Sequence, residues 1–418
     1  MILKLARKSL WNRRGTAILT LVSLAISVAL ILGINHLRHQ AKQSFTSTIS
    51  GTDLIVGARS GSTNLLLYSV FRIGNATNNI SWESYQAISK SREIDWTIPL
   101  SLGDSHRGFR VLGTDHNYFE HYRYGDRRGL VFTRGGPFEG VYESVLGAQV
   151  ARELGYEIGD EIVIAHGLGD VSFSQHDDKP FTVVGILEPT GTPVDRTVHV
   201  RLEGIEAIHL GWQHGARLPG RGVSAEEALQ RELQPEAITA FLVGLKSRMA
   251  TFRLQRAINE YRKEALTAIL PGVALAELWD VLGMVENMLI VVAFLVLLAT
   301  LVGMTTTLLS SMKERQRELA ILRAVGAHAG YLFALIEIEA LLLALLGVVL
   351  GILLLTVSLY MLQPWLASEY GLFISANPLN SEALWISAGV LLLAALLSLI
   401  PSVVAYRRAL ADGLSVRT

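Results

Sequence analysis

Cysteine is absent from this chain of 418 residues. That excludes disulfides, thiolate nucleophiles and cysteine-based metal sites, so any exported domain must hold together by its own core. A region of about 240 residues is long enough to build one. A net charge of either sign is also absent, because 37 Lys and Arg balance 37 Asp and Glu. Bulk electrostatics therefore give no reason to expect a nucleic-acid partner. Enzyme signatures are missing too. The chain has no G-x-x-x-x-G-K-[ST] phosphate loop, no H-E-x-x-H zinc helix and no G-x-S-x-G nucleophile elbow, so it reads as a non-enzyme that carries no cofactor of its own. The glycines of GDEIVIAHGLGD fall in a strand-and-turn region and do not make a dinucleotide site.

Long apolar runs are plentiful. Half of the residues are hydrophobic, too many for an ordinary soluble protein and too few for a chain made only of membrane spans. Four stretches are long enough to cross a bilayer, which takes about 20 residues of helix: 16–34, 288–309, 340–362 and 383–404. The first is followed by INHLRHQ without a small-x-small cleavage site, and is read as a retained anchor rather than a signal peptide.

Lys and Arg set the orientation. Lys4, Arg7, Lys8, Arg13 and Arg14 precede the first span. Lys313, Arg315, Arg317 and Arg323 lie between the second and third, and Arg407, Arg408 and Arg417 follow the fourth. The loop QPWLASEYGLFISANPLNSE has neither Lys nor Arg. Both termini and the 311–330 segment are therefore expected in the cytoplasm, with one large domain outside. The fold class follows: an α-helical membrane protein with four transmembrane helices and one large mixed α/β extracytoplasmic domain inserted between helices 1 and 2.

The partition is 1–15, a cytoplasmic amphipathic helix with Trp11 at headgroup level; 16–37, the first span; 38–280, the external domain with stalk helices; 281–310, the second span; 311–330, a charged cytoplasmic segment; 331–362, the third span; 363–382, a short outer loop; 383–405, the fourth span; and 406–418, a cytoplasmic tail. Within the external domain, strands are expected at 53–56, 108–112, 161–165, 181–187, 198–202 and 240–245, and helices at 82–90 and 148–154. Leu254, Ile258, Tyr261 and Ala265 recur at helical spacing, which predicts a long stalk-like helix over 247–269. The polar run 211–233 reads as a surface insertion.

Several residues stand out against these patterns. Ten of the 11 histidines fall on the outer side. His176, Asp177 and Asp178 are candidate ligands for a hard or borderline metal, although no histidine pair has the i, i+4 spacing of a helical site. Glu337 and Glu339 sit near the start of the third span, where interfacial solvation or pairing with Arg323 is the expected role. Gly347 and Gly351 form a small-xxx-small pair that lets another helix approach.

The segment MKERQRELAILRAVGAHAGYLFALIEIEALLLALLGVVLGI resembles the signature of FtsX-like permeases, the MacB-type (type VII) ABC transporter subunits. The match covers Glu314, Arg315, Arg317, Glu318, Leu322, Ala324, Val325, Gly326 and Ala327. The opening LARKSLWNRRGTAILTLVSLAISVALILGI is similar to the family's N-terminus. The ending resembles its Pro-x-x-x-A-x-R-R-A motif at Pro401, Ala405, Arg407, Arg408 and Ala409. VLGAQVARELGYEIGDEIVI and FTVVGILEPTGTPVDRTVHV resemble its periplasmic core domain.

The resemblance implies that Glu314, Arg315, Arg317, Glu318, Arg323 and Gly326 belong to a coupling helix that docks on an ABC ATPase. The ATPase, with ATP and Mg, is expected on a partner chain in two copies, because MacB carries its ATPase on the same chain and these residues do not. A second permease copy, membrane lipids and a periplasmic or lipoprotein partner are the other expected contacts, in a bacterial inner membrane with the large domain in the periplasm. The implied work is mechanotransmission, handling a lipoprotein, peptide or small amphiphile. The alternatives are a regulator or scaffold that activates a cell-wall enzyme, with 211–233 as its docking site, and metal-linked transport.

Overall fold

The computed structural model describes residues 2–166, 178–210, 212–213, 216–217, 224–231, 233–314, 321, 325–370 and 375–414. The chain divides into two compact units. One comprises Met1–Ala41, Leu282–Trp365 and Ile374–Thr418; the other comprises Lys42–Val281 and Leu366–Phe373.

The first unit is helical. Among the described residues, four helices contain segments long and apolar enough to span a membrane: Arg14–Lys42, Pro271–Met312, Ala329–Gln363 and Ser381–Arg407. They are called here the first to fourth spanning helices. Each helix runs past its apolar core. The first extends over Arg14–Thr48, the second over Pro271–Glu314, the third over Ala329–Tyr370 and the fourth over Ser381–Leu414. Pro271 is the first residue of its helix, a position where the missing N–H costs nothing. Much of each apolar surface faces outward, as at Val285, Met288, Val292, Leu353 and Leu392, which is what a hydrocarbon environment requires. A separate helix, Ile2–Asn12, precedes the first span.

The second unit is the mixed α/β domain inserted between the first two spanning helices. Its sheet has 11 strands. The main path runs Leu266–Ile269, Leu54–Ala58, Ala240–Leu245, Ile94–His106, Phe109–Thr114, Thr197–Arg201, Glu143–Leu146, Phe181–Leu187 and Phe132–Gly135. Most neighbours are antiparallel. Thr197–Arg201 beside Phe109–Thr114 and Phe181–Leu187 beside Glu143–Leu146 are parallel.

Alternation explains why the strand residues are so uniformly apolar. Ile55 and Leu242 turn into one core with Leu65, Tyr68, Tyr118 and Phe138. Their neighbours Leu54, Val56, Phe241 and Val243 turn into another with Leu254 and Ile258. A strand buried on both faces loses the polar half of its alternation. A third core gathers Val111, Phe181, Val183, Val198 and Val200. The turn after Leu187 is closed by Asp195, whose carboxylate accepts the Thr190 N–H and hydroxyl and the Gly191 N–H at 2.8–2.9 Å.

The expected long helix over 247–269 is corrected by the structure. The helix covers only Thr251–Asn259, and Leu266–Ile269 is a strand. Leu254 and Ile258 do lie on a buried helical face. Beyond Asn259, however, Ile269 and Ala268 pair with Ile55 and Val56. The Asn259 side chain accepts the Ala268 N–H at 2.7 Å, which turns the chain back onto the sheet edge. Two strands went unforeseen: Glu143–Leu146 and the longest one, Ile94–His106. The third spanning helix also continues to Tyr370, so 363–370 is helical rather than loop.

Candidate functional site: the carboxylates of the third spanning helix

Of the residues expected to couple to an ATPase, Arg315, Arg317, Glu318 and Arg323 lie outside the described residues, as does the side chain of Glu314. What brackets them is described. The second spanning helix ends at Glu314 and the third begins at Ala329. Between them Gly326 has φ +103°, a backbone angle that L side chains rarely adopt. Met312 and Ile336 pack together and against Ala405, with Leu309 and Val404 around them. The helices on either side of the charged segment and the end of the fourth spanning helix thus share one apolar contact.

Glu337 and Glu339 lie 8 and 10 residues into the third helix, about 12 and 15 Å along it at 1.5 Å per residue. Two residues of helix turn through about 200°, so the two carboxylates leave on opposite faces. Glu337 is half-buried, and each of its oxygens accepts a hydroxyl proton from the fourth helix: Ser398 at 2.8 Å and Ser402 at 2.9 Å. Both serines are fully buried and are one turn apart. Pro401 sits between them inside the helix.

Glu339 is 1% exposed and pairs with the Arg13 guanidinium at 3.2 Å. Arg13 is the single residue between the helix Ile2–Asn12 and the first spanning helix, and it also donates to Ser9 Oγ at 3.4 Å. An ionised carboxylate at mid-bilayer costs about 2.5–3.5 kcal/mol on insertion scales. Here each carboxylate has partners of the right kind, and each ties the third helix to a different neighbour. The cation seen on Glu339 is Arg13; Arg323 is among the residues not described.

The third helix also runs close beside the first. A Cβ added to Gly347 would collide with the Leu24 side chain, and one at Gly351 would lie 2.9 Å from the Ala25 carbonyl oxygen and 2.8 Å from Val28 Cβ. Ser27 Oγ and Thr300 Oγ1 meet at 2.8 Å between the first and second helices. At the other end of the helices, Arg38 pairs with Glu286 at 3.0 Å and His39 with Glu382 at 2.6 Å, while His36 meets the Ser375 carbonyl at 2.7 Å. The first helix is therefore bonded to the other three, and the carboxylates of the third lock its two flanks.

His176 and Asp177 lie outside the described residues, and Asp178 follows them on a turn. Among the described residues, no three His, Cys, Asp or Glu gather as a metal site requires. In the second unit His199 is fully buried and its pKa is pushed down to about 3 by burial and by the nearby Arg72 guanidinium. It is a neutral core residue.

Two family models match the chain. The MacB-like periplasmic core domain matches residues 17–260, and the FtsX-like permease C-terminal region matches residues 290–411. The chain belongs to the MacB/FtsX family of ABC transporter permeases. No curated protein matches it. Solved structures similar to it include the periplasmic region of MacB from Actinobacillus actinomycetemcomitans, at 12% identity and a TM-score of 0.34, covering 55% of this chain and 94% of that one. Another is the extracellular domain of the noncanonic ABC-type transporter YknZ from Gram-positive bacteria, at 12% identity and a TM-score of 0.31, covering 52% and 99%. Proteins of this permease family work with ABC ATPase partners, and the spanning helices and periplasmic core domain fit an inner-membrane location.

Proposed function

We propose that this MacB/FtsX-type permease carries the work of ATP hydrolysis from a cytoplasmic segment at 311–330 through its spanning helices to the extracytoplasmic domain, with hydrolysis supplied by an ABC ATPase on a separate chain. ATP-driven closure of the ATPase pushes on Glu314, Arg315, Arg317, Glu318 and Arg323, and Gly326 gives the segment its exit into the third helix. Both termini lie in the cytoplasm, as the Lys and Arg pattern requires. Two ATPases need two docking segments, so two permeases assemble. The cargo, a lipoprotein, peptide or small amphiphile, is handled on the outer side rather than through a wide pore.

One observation carries this reading. The helix that leaves the charged segment holds, within about three turns of its start, two carboxylates committed to two other helices. A push on the segment is then passed on to the first and fourth helices instead of being absorbed by side-chain slack. The absence of a phosphate loop from these residues supports an ATPase carried elsewhere.

Reversing the charge at Glu318 (Glu318→Arg) or Arg323 (Arg323→Glu) tests it. The expected result is loss of ATPase co-purification or of permease-stimulated ATP turnover, with membrane insertion intact. Unchanged stimulation by both variants refutes the coupling role. Single cysteines at 320 and 170, in a chain that has none of its own, report the orientation. They are expected to label from opposite sides of the bilayer.

A further inference from the structure

The extracytoplasmic domain contains a cavity of about 340 Å³ walled by Tyr68, Asn75, Asn79, Gly103 and Arg110. Its volume suits a small solute. Its floor is the sheet, where the strand Ile94–His106 bulges between Leu102 and Ser105 before pairing Ser105 with Arg110. Its wall is the loop that follows the helix Ser62–Ser69.

The charge at this cavity is one-sided. Arg110 donates from Nη1 to Asn75 Oδ1 at 3.0 Å and from Nη2 to the Gly74 carbonyl at 2.7 Å. Both acceptors are neutral. Arg72 donates to the Ser69 carbonyl, also neutral, while its Nε is buried without a hydrogen-bond partner. Among the described residues no carboxylate pairs with either guanidinium. Burial and the nearby Arg72 charge both hold the Arg110 pKa down, so the two cations stand close enough to repel. A guanidinium offers five N–H donors in a planar fork, and Arg110 spends two of them on uncharged oxygens.

The backbone keeps this arrangement at a cost. Arg72 has φ +60°, the left-handed region that disfavours any residue with a Cβ. Strain of this kind clusters at ligand sites. Here it turns the chain at the end of the helix so that Asn75 comes against Arg110. Two half-buried cations without a counter-charge, beside carboxamides that can share an anion's remaining lone pairs, are what a bidentate oxyanion fits.

We propose that this cavity is a binding site for a small oxyanion, a carboxylate or phosphate group, gripped by Arg110 with Asn75 and Asn79 as supporting donors. The site lies within the extracytoplasmic domain and goes beyond the coupling role, on which it does not depend.

The test is calorimetric titration of the full-length permease in phosphatidylcholine nanodiscs with sodium phosphate and, separately, sodium succinate, at constant ionic strength set by sodium chloride. Saturable binding of at least one anion is expected. Arg110→Gln should weaken it at least tenfold, and Arg110→Lys should retain part of it, since a point charge replaces the fork. Asn79 is exposed, so Asn79→Asp leaves the fold intact while placing a repelling carboxylate in the cavity. It should weaken binding even if Arg110→Gln does not fold. Binding of phosphate alone, succinate alone or both identifies the group that is recognised. No saturable heat with either anion, or wild-type affinity in both Arg110→Gln and Asn79→Asp, overturns the proposal.

Discussion

Removing one partner of the Arg13–Glu339 pair should damage this permease more than removing both. Glu339 is 1% exposed and the Arg13 side chain 16%, so neither single deletion leaves its partner to water. Breaking a buried pair by deleting one member typically costs about 3–5 kcal/mol, because the remaining charge stays buried, whereas replacing both by apolar residues of similar volume is often neutral. At about 2–4 °C per kcal/mol for 150–250 residues, Glu339→Leu alone or Arg13→Met alone should lower the Tm by on the order of 10 °C. The double variant Arg13→Met with Glu339→Leu should recover most of that loss. The assay is thermal unfolding of the four proteins in nanodiscs, followed by tryptophan fluorescence. ATPase stimulation measured on the same samples separates stability from transmission. The double variant should be stable yet poorly stimulated, because an apolar contact lacks the directional tie between the third helix and the start of the first. A double variant as unstable as the sum of the two singles refutes the reasoning, since it would mean that each residue acts through other partners.

Two further outcomes follow from the geometry. Gly351→Leu should cost several kcal/mol or abolish assembly of the helical unit, because even a Cβ there lies 2.9 Å from the Ala25 carbonyl and overpacking forces backbone shifts of about 1–3 kcal/mol or more; wild-type thermal stability would count against the close first–third helix approach. In the external domain, burial and the neighbouring Glu203 and Glu120 raise the Asp115 pKa from 3.8 to about 7, against the opposing Asn117 N–H bond. A raised folded-state value means that Asp115 favours folding below about pH 4, and that this contribution is lost as pH rises through about 7. At about 1.4 kcal/mol per pH unit the loss is about 4 kcal/mol at most. Asp115→Asn keeps an acceptor for the Asn117 N–H, at 3.1 Å in the wild type, and should match wild type at pH 4 but melt higher at pH 8. A gap that does not widen with pH would show that the carboxyl is not buried as described.

The spanning helices were legible because an apolar run of that length has one stable home. The domain's strands were legible where β-branched residues alternate or cluster, as in Phe181–Leu187. The strand Ile94–His106 was not, because Asp95, Pro99, Gly103 and Asp104 interrupt it. Those residues are tolerated by a bulge and by pairing to two different neighbours, facts that only the assembled sheet supplies. Residues 247–269 misled for a related reason: their periodicity is real as far as Ile258, and strand pairing more than 200 residues away in sequence then outweighs it. At the site, Glu337 and Glu339 stood out as carboxylates in an apolar run. Their partners did not. Ser398 and Ser402 look like ordinary hydroxyls that bond back to their own helix, and Arg13 lies 326 positions from Glu339. No local signal carries a contact of that span.

The two strands through which the external domain receives and releases the chain, Leu54–Ala58 and Leu266–Ile269, are hydrogen-bonded to each other at one side of the sheet. Leu54 and Ile269 lie at the same end of that pair, so tension delivered along the chain runs parallel to both strands. The ladder bonds lie across that direction and therefore share the tension simultaneously, rather than parting one after another as in a zipper. Leu54–Ala58 hands it on to Ala240–Leu245, and that strand to Ile94–His106. A tug on either attachment thus moves the sheet as a plate before it can strip an outer strand away.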